Sequence, residues 1–305
     1  MNLASLDLNL LVSLDALLQQ ASVTRAAAQM GLSQPALSAS LARLRRHFDD
    51  ELLTRVGNEY RLTPMALQLK ELARVALSGV ERVFTAQPSF DPASSTREFS
   101  LLVSDYVVVV LGDTVAEILT AEAPNARLRL SPHSPAMVDR AEQTLLGGGL
   151  LLLPHGFVFD LSHLDLYRDE WVCVVAADNP VVETGLTVEH LETLPWVATY
   201  HGQTASTPAA RQMRMLGIEP RVQVVTEHFL TVPALIAGTD RIAVLQRRLV
   251  DLMPLNAGIA ALPCPFEAGP LVEAAWWHPV YDNDPEHRYL RDVVARAAAR
   301  AVGTG

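Results

Sequence analysis

The chain has 305 residues, 50% hydrophobic and 19% charged, which is enough apolar material for two packed domains and too much for a disordered chain. Its longest apolar runs, Val107–Leu111 and Leu150–Leu153, fall far short of the roughly 20 residues of a membrane-spanning helix. The net charge of −10 argues against a uniformly nucleic-acid-binding protein, but residues 1–90 hold nine Lys and Arg against eight Asp and Glu, and residues 91–305 fifteen against twenty-six.

The start, MNLASLDLNLLVSLD, carries Asp7 and Asp15 and no base ahead of its leucines, the wrong charge order for a secretory signal. Leu10, Leu11, Leu14, Leu17 and Leu18 recur at helical spacing and predict one amphipathic helix. Thr24 is a candidate cap for a short second helix, Arg25–Met30, which Gly31 ends. Ser33, Gln34 and Pro35 then set a capping hydroxyl ahead of a first-turn proline, where the missing N–H does no harm. From there Leu37, Leu41, Leu44 and Phe48 mark a third helix with a narrow apolar stripe; Gln34, Ser38, Ala42, Arg43, Arg45 and Arg46 fall on its other side. Leu52–Leu62, alternating loosely around Gly57-Asn58, predicts a small hairpin. Thr63-Pro64 opens a long helix to about Phe84, in which Leu62, Leu69, Ala76 and Val83 recur every seven positions, with Met65 and Leu72 three residues after the first two, a seam for a second helix. Gln87–Thr96, with Pro88, Pro92, Ser94 and Ser95, reads as a linker.

Two short helices meeting at a glycine turn form the layout of a helix-turn-helix, whose second helix enters the major groove. That task needs small or amide side chains at the base edges, which Gln34 and Ser38 supply. It needs cations where phosphates pass, which Arg43, Arg45, Arg46 and the hairpin's Arg55 and Arg61 supply. The same pattern also fits a three-helix bundle with a solvated basic face.

Beyond the linker, apolar runs at Phe99–Val103, Arg127–Leu130, Leu150–Leu153, Trp171–Ala176, Trp196–Thr199, Arg221–Val225 and Arg241–Leu245 alternate with helix-like stretches. This predicts an α/β domain of parallel strands with crossover helices. No catalytic, metal or cofactor fingerprint is present: there is no H-E-x-x-H, G-x-S-x-G or phosphate loop. Cys173 and Cys264, 91 positions apart, read as packing residues of a reduced, cytoplasmic protein.

The segments AAAQMGLSQPALS, FDDELL and LTP resemble the N-terminal domain of LysR-type transcriptional regulators. FDPASSTREFSLLVSDY, APNARLRL, LLLPHGF, GTDRIAVLQRRL and DNDPEHRYLRDVV resemble the family branch containing the regulators NodD and NahR. Two departures stand out: Ala39 replaces the arginine many relatives carry after the recognition-helix serine, and Gly149 replaces an aspartate and leaves the backbone there freer. The resemblance implies a winged helix-turn-helix at 1–62, in which Thr24, Ser33, Gln34, Pro35, Ser38, Arg43, Arg45, Arg46, Arg55 and Arg61 contact DNA. It implies a dimerising linker helix and hinge at 63–90. Residues 91–305 would then form a two-lobed α/β effector domain like a periplasmic binding protein, with lobe I at about 97–165 and 268–305 and lobe II at about 166–267.

Implied partners are double-stranded DNA with an interrupted palindrome, a small aromatic or organic-acid effector, further copies of the chain as homodimer or homotetramer, and RNA polymerase. Ligands of open α/β sheets sit at the carboxyl ends of strands. There the chain places Ser104, Tyr106, His155, His201, Gln203, Thr204, His228, Phe229 and Gln246, with Asp105 as a cap for the next helix. A small-molecule-binding protein without operator recognition is the alternative.

Overall fold

The leucine spacing of the N-terminal region becomes three helices, α1 (Leu8–Gln20), α2 (Val23–Met30) and α3 (Gln34–Phe48). The structure is a computed structural model and describes residues 7–56, 59–85, 90–200, 206–254 and 257–303. It divides into two compact units, residues 1–87 and 88–305. In the first, α2 begins earlier than the sequence suggests, because Ser22 rather than Thr24 is its cap. The Ser22 backbone is extended and its Oγ accepts from the Arg25 amide at 3.4 Å, while Thr24 lies exposed inside the first turn. Gly31 ends α2 in the left-handed region at φ 64°, which costs a glycine nothing. Ser33 caps α3 through the Ala36 amide, and Pro35 sits in its first turn.

Leu37, Leu41 and Leu44 are buried against Leu14, Leu17, Leu18, Ala26 and Ala27. Strands β1 (Leu53–Val56) and β2 (Glu59–Leu62) pair antiparallel from Leu53↔Leu62 to Val56↔Glu59; the Gly57-Asn58 turn lies outside the described residues. Helix α4 (Pro64–Thr85) is capped by Thr63, whose Oγ1 accepts from the Ala66 amide at 3.1 Å and donates to Asp50 Oδ1 at 2.6 Å. The heptad named from the sequence faces inward at its start: Leu62 and Leu69 join Ala66 and Ala73 on the unit's own core. The other members of that seam, Met65, Leu72 and Ala76, form an exposed row, and the Val83 side chain lies outside the described residues.

The second unit contains strands β3 (Glu98–Val103), β4 (Arg127–Pro132), β5 (Leu150–Pro154), β6 (Ser162–Asp169), β7 (Trp171–Ala176), β8 (Pro195–Thr199), β9 (Arg221–Thr226), β10 (Ile242–Gln246), β11 (Ile259–Pro263) and β12 (Leu271–Trp277). They form two five-stranded sheets, ordered β4-β3-β5-β12-β6 and β11-β7-β10-β8-β9. The sheets are mixed, which corrects the all-parallel expectation. Strands β3, β4 and β5 run parallel, as do β8, β9 and β10, but β12 is antiparallel to both its neighbours and so is β7. These two are the strands that enter their sheet from the other lobe. A strand arriving that way has no crossover helix to fix its direction. The first lobe's last strand before the crossing runs on to Asp169, past the position 165 expected from sequence.

Gly149 has a definite reason. A Cβ there would lie 2.9 Å from the Ser100 carbonyl oxygen, so β5 can enter beside β3 only without a side chain; the glycine is demanded by close approach, not by freedom. The helical segment after β3 runs from Asp105 to Glu122 and includes a π-helical turn at Val108–Gly112. The closing helix, Pro285–Gly303, buries Leu290, Val293, Val294, Ala297 and Ala298 in the main core. Among the described residues no helix is long and apolar enough to cross a membrane.

His287, at the start of that helix, stacks on Tyr281 with ring centroids 4.9 Å apart, and its Nδ1 faces Arg291 Nη1 at 3.0 Å. Burial, and then the Arg291 charge, push its pKa down to about 4. The imidazole is neutral in the fold, whereas an unfolded histidine takes a proton below about pH 6.5. Its stabilising contribution is therefore complete above pH 6.5 and lost as pH falls towards 4, amounting to about 3 kcal/mol. Urea unfolding of His287→Gln across this window should show a shallower pH slope than the parent chain; parallel slopes would remove His287 as the cause.

Candidate functional sites

On α3, the residues turned away from the core are Pro35, Ser38, Ala39, Ala42 and Arg46, with Ser33 and Gln34 exposed at its start. Only Arg46 of the three helix arginines is exposed without an ion pair or hydrogen bond among the described residues. Arg43 Nη1 lies 3.2 Å from Asp7 Oδ2. Arg45 is spent on the fold: Nε donates to the Glu51 carbonyl at 2.8 Å, Nη2 donates to the Leu53 carbonyl at 3.1 Å, and the Glu51 carboxylate lies 3.0 Å away. Its guanidinium staples the hairpin to α3. The hairpin register opposes Arg55 to Tyr60 and Thr54 to Arg61, so Arg55 and Arg61 leave opposite faces. The exposed surface thus combines an amide and hydroxyls at the helix start with one unpaired cation further along, groups suited to base edges and phosphate respectively.

The second site is a cleft between the two sheets of residues 88–305, with about 650 Å³ of empty space, its open mouth included. Ser104, Tyr106, His133, Phe157 and Glu273 line it from the first lobe, and Trp171, Tyr200, Ser206, Phe229 and Gln246 from the second. Ser104, not Asp105, caps the helix after β3, accepting from the Val107 amide at 3.3 Å. Asp105 instead bonds to the second lobe, its carboxylate accepting from the amides of Phe229 at 3.2 Å and Leu230 at 2.9 Å. Beside it Tyr106 donates to Asp169 Oδ2 at 2.6 Å, and Asp169 Oδ1 accepts from the amides of Glu170 and Arg248. The Tyr106 and Phe229 rings meet edge to face at 6.4 Å, while Tyr200 packs on Phe229 at 5.7 Å and stacks on His133 at 6.0 Å. Together these form a slot for a flat ring.

Three buried polar atoms on this wall have no hydrogen-bond partner among the described residues: Gln246 Oε1, Trp171 Nε1 and Glu273 Oε1. Burial, reinforced by the Asp169 charge, pushes the Glu273 carboxyl up to about 8, so at neutral pH it is largely protonated and can donate. Burial also holds His133 below its ordinary value, which keeps it neutral. No Lys or Arg is among the described lining residues. Cations sit one layer back: Arg211 lies 4.2 Å over Phe157 and donates to the Gly156 carbonyl, and Arg214 donates to Ser206 Oγ at 2.7 Å.

Of the residues expected here from sequence, Ser104, Tyr106, Phe229 and Gln246 line the cleft. His155 does not; it packs on Trp276 and bonds Asp165 Oδ1 at 2.6 Å. His228 is exposed outside the cleft, its Nδ1 4.0 Å from Asp105. His201, Gln203 and Thr204 lie outside the described residues. Sequence reasoning missed Trp171, Tyr200, His133 and Glu273. The lone acid inside the apolar run LVEAAWW was the available signal for Glu273, since an unpaired buried carboxylate is costly without a purpose.

Comparison with known proteins agrees with both units. The family description "Bacterial regulatory helix-turn-helix protein, lysR family" matches residues 8–67, and "LysR substrate binding domain" matches residues 92–299. Nodulation protein D 2 of Bradyrhizobium diazoefficiens is 35% identical over 312 residues, covering 100% of this chain and 92% of its own length. Nodulation protein D 2 of Rhizobium tropici is 32% identical over 306 residues, covering 99% and 96%. Among solved structures, the Pseudomonas aeruginosa protein PA0477 superposes with a TM-score of 0.71 at 26% identity, covering 96% of this chain and 97% of its own. Full-length CbnR, solved with its target DNA, gives 0.66 at 15% identity over 97% and 100%, a likeness of fold. The chain belongs to the LysR family of transcriptional regulators, with a helix-turn-helix DNA-binding domain and an effector-binding domain.

Proposed function

We propose that this regulator acts in the cytoplasm as a homodimer or a pair of dimers on an interrupted palindrome, and that an uncharged aromatic effector in the cleft shifts it between DNA-bound arrangements. RNA polymerase is the further partner of such a protein at a promoter. In this reading Gln34 and Ser38 read base edges and Arg46 meets a phosphate. The observation that carries the effector class is the cleft wall: aromatic rings, three unpartnered polar atoms, and no cation among its described residues. An organic acid would bring its anion to a wall that holds Asp139 and no lysine or arginine among its described residues. A neutral phenol or aryl ketone instead matches the amide, indole and carboxylic-acid groups. The effector shifts the equilibrium only by its difference in affinity for the two arrangements.

The exposed Met65, Leu72 and Ala76 row on α4 supports pairing with a second copy, which fixes the spacing of two recognition helices. Leu72→Glu should convert the chain to monomer by light scattering and weaken binding to its own upstream DNA. A variant that stays dimeric removes this seam as the interface.

Gel shifts across salt concentrations separate the roles on α3. Arg46→Ala should weaken binding to all sequences and lower the salt slope by about one unit. Gln34→Ala should relax preference at one operator position by about 1–3 kcal/mol. Identical sequence profiles for both variants would defeat the division between base reader and phosphate contact.

A thermal-shift comparison of matched pairs, such as an aryl ketone and the corresponding benzoate, tests the cleft with the full chain. The uncharged member should stabilise the protein, and its effect should fade above about pH 8 as Glu273 ionises. Stronger stabilisation by the benzoate would overturn the effector class.

A further inference from the structure

His155 stands out in the sequence as a polar group at a strand end, yet it points away from the cleft. It belongs to another cluster. His163 and Asp165 lie two apart on β6 and so share one face of the sheet. On that face His163 is paired across the ladder with Trp276 of β12, and Trp276 is paired with Leu151 of β5. His155 follows β5, its amide donating to the Val272 carbonyl at 3.1 Å, and its ring lands beside the other two groups. One ligand atom from each of His155, His163 and Asp165 lies within 4.8 Å of the others.

We propose that His155, His163 and Asp165 form a binding site for a divalent transition-metal ion of the zinc type, at the foot of the loop joining β5 and β6. A tetrahedral zinc with bonds of about 2.0–2.2 Å holds its ligand atoms roughly 3.3 Å apart, so side-chain rotation alone closes these three groups around an ion. Both imidazoles are already oriented by the buried Trp276 ring, whose centroid is 5.0 Å from His155 and 4.6 Å from His163. The Nδ1 of His163 faces the Leu161 carbonyl at 3.4 Å, an arrangement that places the proton on Nδ1 and leaves the Nε2 lone pair for a metal. A simple hydrogen bond between His155 and Asp165 accounts for two members of the cluster but does not involve His163, whose ring stands beside both. Two imidazole nitrogens and one carboxylate suit zinc, nickel or copper, whereas calcium and magnesium prefer oxygen alone. Three protein ligands leave a coordination position for water.

The location gives the ion something to hold. His155 and His163 stand at the two feet of a loop that carries Phe157 into the cleft and presents the Gly156 carbonyl to Arg211 of the second lobe. An ion between those feet fixes the base of this loop.

The test uses the full chain and zinc alone. Competition against a chromogenic chelator should show one more bound equivalent in the parent than in His155→Ala or His163→Ala, with His47→Ala, on the DNA-binding unit, unchanged. Asp165→Asn keeps the side-chain shape and should give the same loss, so a misfolded histidine variant does not leave the question open. Nickel should also quench tryptophan fluorescence in the parent, and His163→Ala should abolish that quenching. Hydrogen exchange at residues 156–161 should slow when zinc is added. Equal zinc stoichiometry in the parent and the His155→Ala/His163→Ala double variant would overturn the site, and unchanged exchange in the loop would overturn its bracing role.

Discussion

Two carboxylates bonded where the lobes meet, Asp105 and Asp169, are the constraint on which the second unit depends. Asp105 is stabilised by accepting two amides of the opposite lobe, and Asp169 by the Tyr106 hydroxyl and two amides. Each takes its hydrogen bonds from backbone amides or the tyrosine hydroxyl rather than from a lysine or arginine side chain. Glu273, the third acid, has no such donors at Oε1 and stands beside Asp169, so it keeps its proton instead. The same two bonded acids join the lobes and set the chemistry of the space between them. The bonds that tie the lobes together and the charge beside Glu273 therefore come from one group of side chains.

The DNA-binding unit divides its arginines in a related way. A basic face read from sequence is a count of charges, but the fold decides which are available. Arg45 secures the hairpin through two carbonyls and Glu51, and Arg43 is occupied with the Asp7 carboxylate that caps α1. Arg46 is left to face outward. An exposed ion pair such as Arg43–Asp7 is worth little by itself, so it holds the guanidinium only weakly. Arg45 is different, because releasing it would leave carbonyls of the hairpin without their donor.

Much of this architecture was legible in the chain. Leucine spacing and the Ser33-Pro35 start fixed α3, and the α/β alternation found the parallel strands, because those signals are local. Non-local features were hidden. Strand β6, Ser162–Asp169, mixes exposed and half-buried positions before ending in buried ones, so no apolar run announces it. Ser22 and Thr24 are equally good caps by composition, and only the extended backbone at Ser22 chooses between them. Cys173 and Cys264, unrelated by spacing, meet with sulfurs 3.7 Å apart because β11 pairs with β7. Likewise Ser104, Tyr106, Phe229 and Gln246 were visible at strand ends, but Glu273 and Trp171 reach the cleft only through the antiparallel strands β12 and β7.

Those two strands carry a topological consequence. Asp169 and Leu271 face each other at the end of the β6–β12 ladder, so the whole of the second lobe departs and returns through a gap one residue pair wide. The first lobe is thus a hairpin opened to receive a guest, and a two-residue turn joining those positions would seal it again. Swapping guests at that doorway would change what the regulator senses while leaving the host sheet's hydrogen-bond ladder continuous.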